Sequence, residues 1–172
     1  MDEPLAKLRD TATADATFQI VSGEVQGDPA NVAATGRVNL MIDATTYDSG
    51  SDHRDRKILS SSLETGQYPT ITFASTRIGN VNVVAPGAMG TATVTGDLTL
   101  HGTTRQISVP VSITMSPDGV FGADGSVTFD YTEYGVKVPR LMFAVAAGRE
   151  VTITFHIVAK RADAAGQPQA SQ

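Results

Sequence analysis

The chain has no cysteine and no tryptophan, and aromatic residues make up only 6% of its 172 positions. Without cysteine there is no disulfide framework, no thiolate nucleophile and no thiolate metal ligand. Charge is also sparse. Asp, Glu, Lys and Arg together reach 18%, and 18 acidic against 13 basic residues leave a net charge of −5. The basic residues form no run or stripe, which argues against nucleic acid as a partner and weakens attraction to anionic membranes. No apolar run approaches the ~20 residues of a membrane-spanning helix. The opening MDEPLAKLRDTATADAT holds no apolar core of signal-peptide length. From the residues alone, the expectation is a cytoplasmic chain or a mature form whose leader was replaced by Met1.

Histidine is confined to His53, His101 and His156, with no HxH or HxxxH pair. A metal site usually needs three or four ligands, so none is expected. The run Ser60, Ser61, Ser62 lacks the glycine-flanked elbow of a serine nucleophile. GDPANVAATG has glycines but no phosphate-loop lysine. Arg54-Asp55 could be imagined as an acid–base pair, but a salt bridge that orients a helix is the better reading. No catalytic residue and no cofactor is expected.

What the chain does have is alternation. Val38, Leu40 and Ile42 share one face of GRVNLMIDA, with Met41 the exception, and Ile71 and Phe73 share one face of PTITFAS. Val94, Leu98 and Leu100 follow in TATVTGDLTL, and Ile107, Val109, Val111 and Ile113 in RQISVPVSIT. Val127, Phe129 and Tyr131, then Val151, Ile153, Phe155 and Ile157, repeat the pattern. One apolar and one Thr/Ser-rich face at period two means strands covered on one side. His156 then faces outward. With TFQIVSGEV near Phe18 and TRIGNVNVV near Ile78 the count is about eight. Short turn-like spacers make the strands antiparallel hairpins, in a sandwich or a closed barrel. Pro110 should sit at a bulge or on an unpaired side of its strand.

One segment breaks the pattern. Residues 51–64 read as a short amphipathic helix that covers an opening or side of the barrel. Ser51 serves as its cap, Asp52 and Arg56 as a spaced pair, and Ile58, Leu59 and Leu63 as its apolar stripe. Gly66 stops it, and Pro69 keeps Tyr68 extended. VPRLMFAVAAGRE, residues 138–150, is apolar without alternation and reads as a loop or helical turn at a barrel end. It either plugs the core or forms a mobile portal containing Phe143. The inward set Leu40, Ile42, Ile71, Phe73, Leu98, Val109, Phe129 and Phe155 can fill a dry core or line a cavity.

The motifs RDRKI…SLETGQYPTITFAST, VTGDLTLHGTTRQISVPV, YGVKVPR and EVTITFHIVA, in this order over about residues 18–160, resemble the YceI-like domain family. Arg54, Asp55, Tyr68, Pro69, Ile71, Thr72, Phe73, Gly96, Leu98, Thr99, His101, Gly102 and Thr104 match the family's positions, as fold markers more than ligand contacts. The resemblance implies an all-β fold, an eight-stranded antiparallel lipocalin-like barrel. Its interior binds and sequesters or carries a polyisoprenoid, an isoprenoid quinone or a fatty-acid-like amphiphile. The ligand-lining set is then Leu40, Ile42, Ile71, Phe73, Leu98, Val109, Phe129, Phe143 and Phe155. The resemblance also implies a bacterial protein that is periplasmic or secreted, with at most transient membrane contact. The competing reading is a structural or interaction protein with a filled barrel, for example one accessory to a membrane redox system.

Two departures stand out. Residues 1–16 carry no aromatic and read as a diverged or shortened first strand, ahead of a barrel at 17–160 and a tail at 161–172. A weakly paired edge near 17–25, and a homodimer formed through it, follow as expectations. SSSLET also replaces the aromatics the family places at the helix end.

Overall fold

A computed structural model of the chain describes residues 6–10, 15–27, 31–82, 87–118, 120–138 and 149–160. Eight strands follow one another: β1 (Ala6–Asp10), β2 (Asp15–Gln26), β3 (Arg37–Asp48), β4 (Thr70–Asn82), β5 (Met89–Leu100), β6 (Thr103–Met115), β7 (Val120–Asp130) and β8 (Glu150–Lys160). Each pairs antiparallel with the next, and β1 also pairs with β8, which closes the barrel. A sandwich is thereby ruled out.

The two faces are sorted as period two requires. On β5, Ala92, Val94, Gly96, Leu98 and Leu100 are buried, and the threonines between them are not. Outside, hydroxyls meet across strands: Thr95 and Ser108 at 2.9 Å, Thr99 and Thr104 at 2.8 Å, Thr128 and Thr152 at 2.6 Å. Each of these is a directly opposed pair, the geometry in which short polar side chains support a sheet. His156 is on the outer face and meets Asp124 at 2.6 Å. Pro110 is tolerated because β6 begins to pair with β7 only at Val111.

Several expectations need correction. The stretches around Phe73 and Ile78 are one 13-residue strand. Register shifts between Ser75 and Arg77 and between Gly79 and Asn82 break its alternation and make it look like two. The eighth strand is instead β1, inside the 1–16 segment read as lying ahead of the barrel. β1 is only five residues long, but it pairs with β2 over residues 15–18. Among the described residues, 19–26 of β2 take their pairing from β3 alone.

The β5–β6 hairpin turns on two residues, His101 (φ 52°) and Gly102 (φ 70°), the two left-handed positions of a type I′ turn. Between β2 and β3 lies the four-residue helix α1 (Val32–Thr35). Between β3 and β4 lies α2 (Asp52–Lys57), which continues into a π turn (Ile58–Ser62). A 3₁₀ turn (Tyr131–Tyr134) follows β7. The apolar segment with Phe143 lies outside the described residues.

Candidate ligand site

The helix between β3 and β4 is fastened at its start by three residues. Ser49 donates its N–H to Asp55 (3.1 Å) and its hydroxyl to the same carboxylate. Arg54 donates Nε–H to Ser49 Oγ (2.7 Å) and an Nη2 hydrogen to the Ser49 carbonyl (2.9 Å). The adjacent Arg54 and Asp55 therefore both grip Ser49 rather than bridging to each other. The other helix expectations also shift. Ser51 is the N-cap residue but makes no side-chain cap bond. Arg56 donates to the Asp52 backbone carbonyl at 3.2 Å, not to its carboxylate.

The helix is released at Glu64 rather than Gly66. Glu64 is left-handed (φ 47°), and Thr65 N–H reaches back six residues to the Leu59 carbonyl at 2.9 Å. An α-helical end closes five residues back. The extra residue belongs to the π turn, where Leu63 N–H bonds the Ile58 carbonyl at 2.8 Å. The left-handed backbone at Glu64 brings its carboxylate to His101 Nε2 at 2.5 Å. The other imidazole nitrogen lies 3.3 Å from the Tyr134 carbonyl, and the ring packs on Tyr68 with centroids 4.5 Å apart. The helix is thus tied to Ser49, just after β3, at one end and to the β5–β6 hairpin at the other.

Beneath it lies a partly sheltered cavity of about 90 Å³. Ile58, Ser62 and Leu63 of the helix form one wall. Phe18, Tyr47, Ile71 and Leu100 from β2–β5 form another, and Phe129, Tyr131, Val136, Val138, Val151 and Ile153 complete it. None of these side chains carries a charge. Ser62 is the exception to an apolar and aromatic lining: it is 1% exposed and its Oγ has no hydrogen-bond partner. Its spacing of four from Ile58 sets it on the inner face, and the π turn brings Leu63 there as well. Closing the ring over five residues lines Leu63 up with Ile58 and keeps Ser62 beside them on the inner face. A larger depression of about 330 Å³ crosses the barrel wall near Asn80, Thr93 and Pro110. It is more open to solvent, so it desolvates an apolar chain less well than the space under the helix.

Of the residues expected to line a site, Ile71 and Phe129 border the cavity. Ile42, Phe73, Leu98 and Val109 are buried in the packed core, and Leu40 and Phe155 are half-buried against it. Phe143 lies outside the described residues. Sequence reasoning missed Ser62. Its signal was a polar residue four positions after Ile58 and next to Leu63, in the middle of the helix's apolar stripe.

Two groups near the cavity have displaced titrations. Asp130 accepts from the Thr132 hydroxyl (2.5 Å) and the Thr132 N–H (2.8 Å). These bonds hold its carboxyl below the ordinary value of 3.8. Burial pushes the Tyr134 phenol above its usual value. Its ring packs edge-on against Phe129 (5.2 Å), and its hydroxyl, like that of Ser62, is buried without a partner.

Comparison with known proteins agrees with this architecture. The YceI-like domain model matches residues 5–159. A UPF0312 protein of Vibrio parahaemolyticus is 30% identical over 127 residues, 70% of this chain and 64% of that protein. One from Vibrio campbellii is 34% identical over 111 residues, 62% of this chain and 53% of that protein. The chain thus spans less than two thirds of the length of these relatives. Among solved structures, Burkholderia cenocepacia BcnA superposes with a TM-score of 0.78 at 23% identity, covering 91% of this chain and 96% of that one. A polyisoprenoid binding domain from Saccharophagus degradans, implicated in plant cell wall breakdown, gives 0.72 at 16% identity, covering 90% and 91%. With the family model spanning nearly the whole barrel, from β1 into β8, the chain belongs to the YceI-like domain family.

Proposed function

We propose that this protein binds a long-chain amphiphilic lipid inside the barrel and sequesters or carries it without chemical change. The observation that carries this reading is the partly sheltered, largely apolar cavity, uncharged among its described lining residues, under a helix that is tied down at both ends. The Saccharophagus domain, of the same fold, is described as polyisoprenoid binding, which favours an isoprenoid or isoprenoid quinone over other amphiphiles. Apolar walls suffice energetically, since each buried methylene contributes about 0.8 kcal/mol. The family resemblance favours an exported protein that meets membranes only transiently.

The cavity's size sets a condition. About 90 Å³ is below the ~300 Å³ at which small-molecule sites usually begin. A long chain therefore enters only if half-buried lining residues such as Phe129, Tyr131 and Ile153 move aside. The same small volume favours a second reading, a structural or interaction protein whose barrel stays filled. Native mass spectrometry of gently purified protein, followed by titration with an isoprenoid quinone and a fatty acid, separates the two. A co-purifying apolar adduct, or a melting temperature that rises with added lipid, supports the carrier. A barrel that remains empty and ignores both lipids refutes it.

A further inference from the structure

We infer that Ser62 is the polar contact for the ligand, and that the group it holds is an uncharged oxygen: a carbonyl, hydroxyl or ether. This rests on the lipid-binding reading and adds to it the chemical class of the buried end.

Three observations converge. First, Ser62 is 1% exposed and its hydroxyl has no partner. A buried polar group in that state is unfavourable. A serine inside a helix usually relieves this by bonding the carbonyl four residues back. Here that carbonyl, on Ile58, accepts Leu63 N–H in the π turn, and the Ser62 hydroxyl makes no such bond. Second, Ser62 lines the cavity, so the unpartnered hydroxyl borders the space a ligand occupies. Third, Ser62 lies within a π turn, a local departure from α geometry that holds both it and Leu63 on the inner face with Ile58. Such turns recur at functional sites.

The charge state follows from the walls. Among the described residues no lining side chain carries a charge, so a phosphate or carboxylate there meets no counter-ion among them. Isolating such an anion in an apolar site is prohibitive. A neutral oxygen fits, because a hydroxyl can donate to a carbonyl or ether and accept from an alcohol. About 90 Å³ is roughly three times the ~30 Å³ share of a liquid water molecule, enough for the oxygen and the first few carbons.

The test uses three C20 isoprenoids that differ only at one end: geranylgeraniol, the matching hydrocarbon and geranylgeranyl monophosphate. Each competes with a fluorescent lipid probe on the full chain, in wild type, Ser62→Ala and Ser62→Cys. The wild type should bind the alcohol about threefold to tenfold tighter than the hydrocarbon, the range of one net hydrogen bond. Ser62→Ala should erase that preference while leaving hydrocarbon affinity unchanged or improved, and the weak thiol donor of Ser62→Cys should leave little of it. The monophosphate should show no dependence on Ser62. An alcohol preference that survives in Ser62→Ala, or a monophosphate that loses affinity with the hydroxyl, overturns the inference and leaves lipid binding standing. If none of the three displaces the probe from the wild type, the lipid-binding reading fails and this inference with it.

Discussion

Two inward-facing glycines lie beside phenylalanine rings, and the difference between them yields a quantitative test of how the barrel is lined. At Gly125 on β7, the three nearest neighbours of an added Cβ are all atoms of the Phe155 ring, at 2.3, 2.8 and 3.0 Å. At Gly96 on β5 the nearest neighbour is the Ala74 carbonyl oxygen at 2.5 Å, ahead of the Phe73 ring at 2.6 and 2.8 Å. A ring can swing; a backbone carbonyl in a ladder cannot. Overpacking typically costs 1–3 kcal/mol. Gly125→Ala should sit at the low end, about 1 kcal/mol, because Phe155 is only half-buried. For a domain of this size that lowers Tm by roughly 2–4 °C.

The prediction lies in the double mutants. Phe155→Ala removes the obstacle at 125, so adding Gly125→Ala should then cost nothing. It should gain about 0.4–1 kcal/mol, because alanine has less freedom to lose on folding than glycine. The coupling between the two sites is therefore at least about 1 kcal/mol. Phe73→Ala costs about 3–5 kcal/mol, since the ring is 9% exposed, but it leaves the 2.5 Å carbonyl contact at 96 in place. Gly96→Ala should remain destabilising in that background. Urea melts of both four-member cycles provide the measurement. If the effects of Gly125→Ala and Phe155→Ala add within about 0.5 kcal/mol, the ring does not lie over Gly125 and the description of this wall is wrong.

Other consequences can be checked more simply. Phe73→Asp should lower stability by several kcal/mol more than Thr72→Asp, because Phe73 is buried and its neighbour half-exposed; equal urea midpoints would reverse the face assignment. Arg54→Ala removes two donations to Ser49 and should cost about 1–3 kcal/mol in a thermal melt, whereas a salt-bridge role limited to Asp55 predicts the same loss from Asp55→Ala alone and none from Ser49→Ala. The Asp130 carboxyl should titrate below 3.8, and Thr132→Val should move it back up in a carbon-detected NMR titration. Because its folded value is depressed, its contribution to stability is present above the ordinary value and lost as pH falls through the folded one. Hydrogen exchange should be slower at Thr17, which pairs with both β1 and β3, than at residues 22–26, which pair with β3; uniform protection contradicts that difference.

The strand faces were legible because period two is local. Ile42, Ile71, Phe73, Leu98 and Val109 are all buried as their spacing requires. Strand boundaries were less so. The register shifts in β4 broke its alternation and split one strand into two on paper. β1 is five residues long and is recognisable as a strand mainly by its two partners, β2 and β8. The helix was placed correctly, but its fastenings were not. Ser49 lies outside the helix, and neither its grip on Arg54 and Asp55 nor the left-handed turn at Glu64 is encoded by helical spacing. The cavity was least legible of all. Its volume depends on how Ser62 and Leu63 turn inward, and α-helical spacing puts those two neighbours on different parts of the surface.

The scattered motifs then have one physical explanation. SLET contains Glu64, QYP contains Tyr68, LHG contains His101 and Gly102, and EYG contains Tyr134 and Gly135. These six residues meet at one place. Glu64 and His101 are two of the three described non-glycine residues with positive φ, a conformation that costs of order 1–3 kcal/mol each. Their mutual contact at 2.5 Å offsets that strain only because each backbone is turned toward the other. Tyr68 packs on the His101 ring, and a Cβ at Gly102 would stand 2.6 Å from that tyrosine. Gly135, at φ 77°, follows the carbonyl that faces the second imidazole nitrogen. Removing any one leaves the others strained or unpaired, so the residues form a unit although the sequence spreads them from 64 to 135. The unit fixes the far end of the helix on the β5–β6 hairpin. Since Ser62 lies two residues before Glu64, the same contacts that fasten the lid also hold the buried hydroxyl over the cavity.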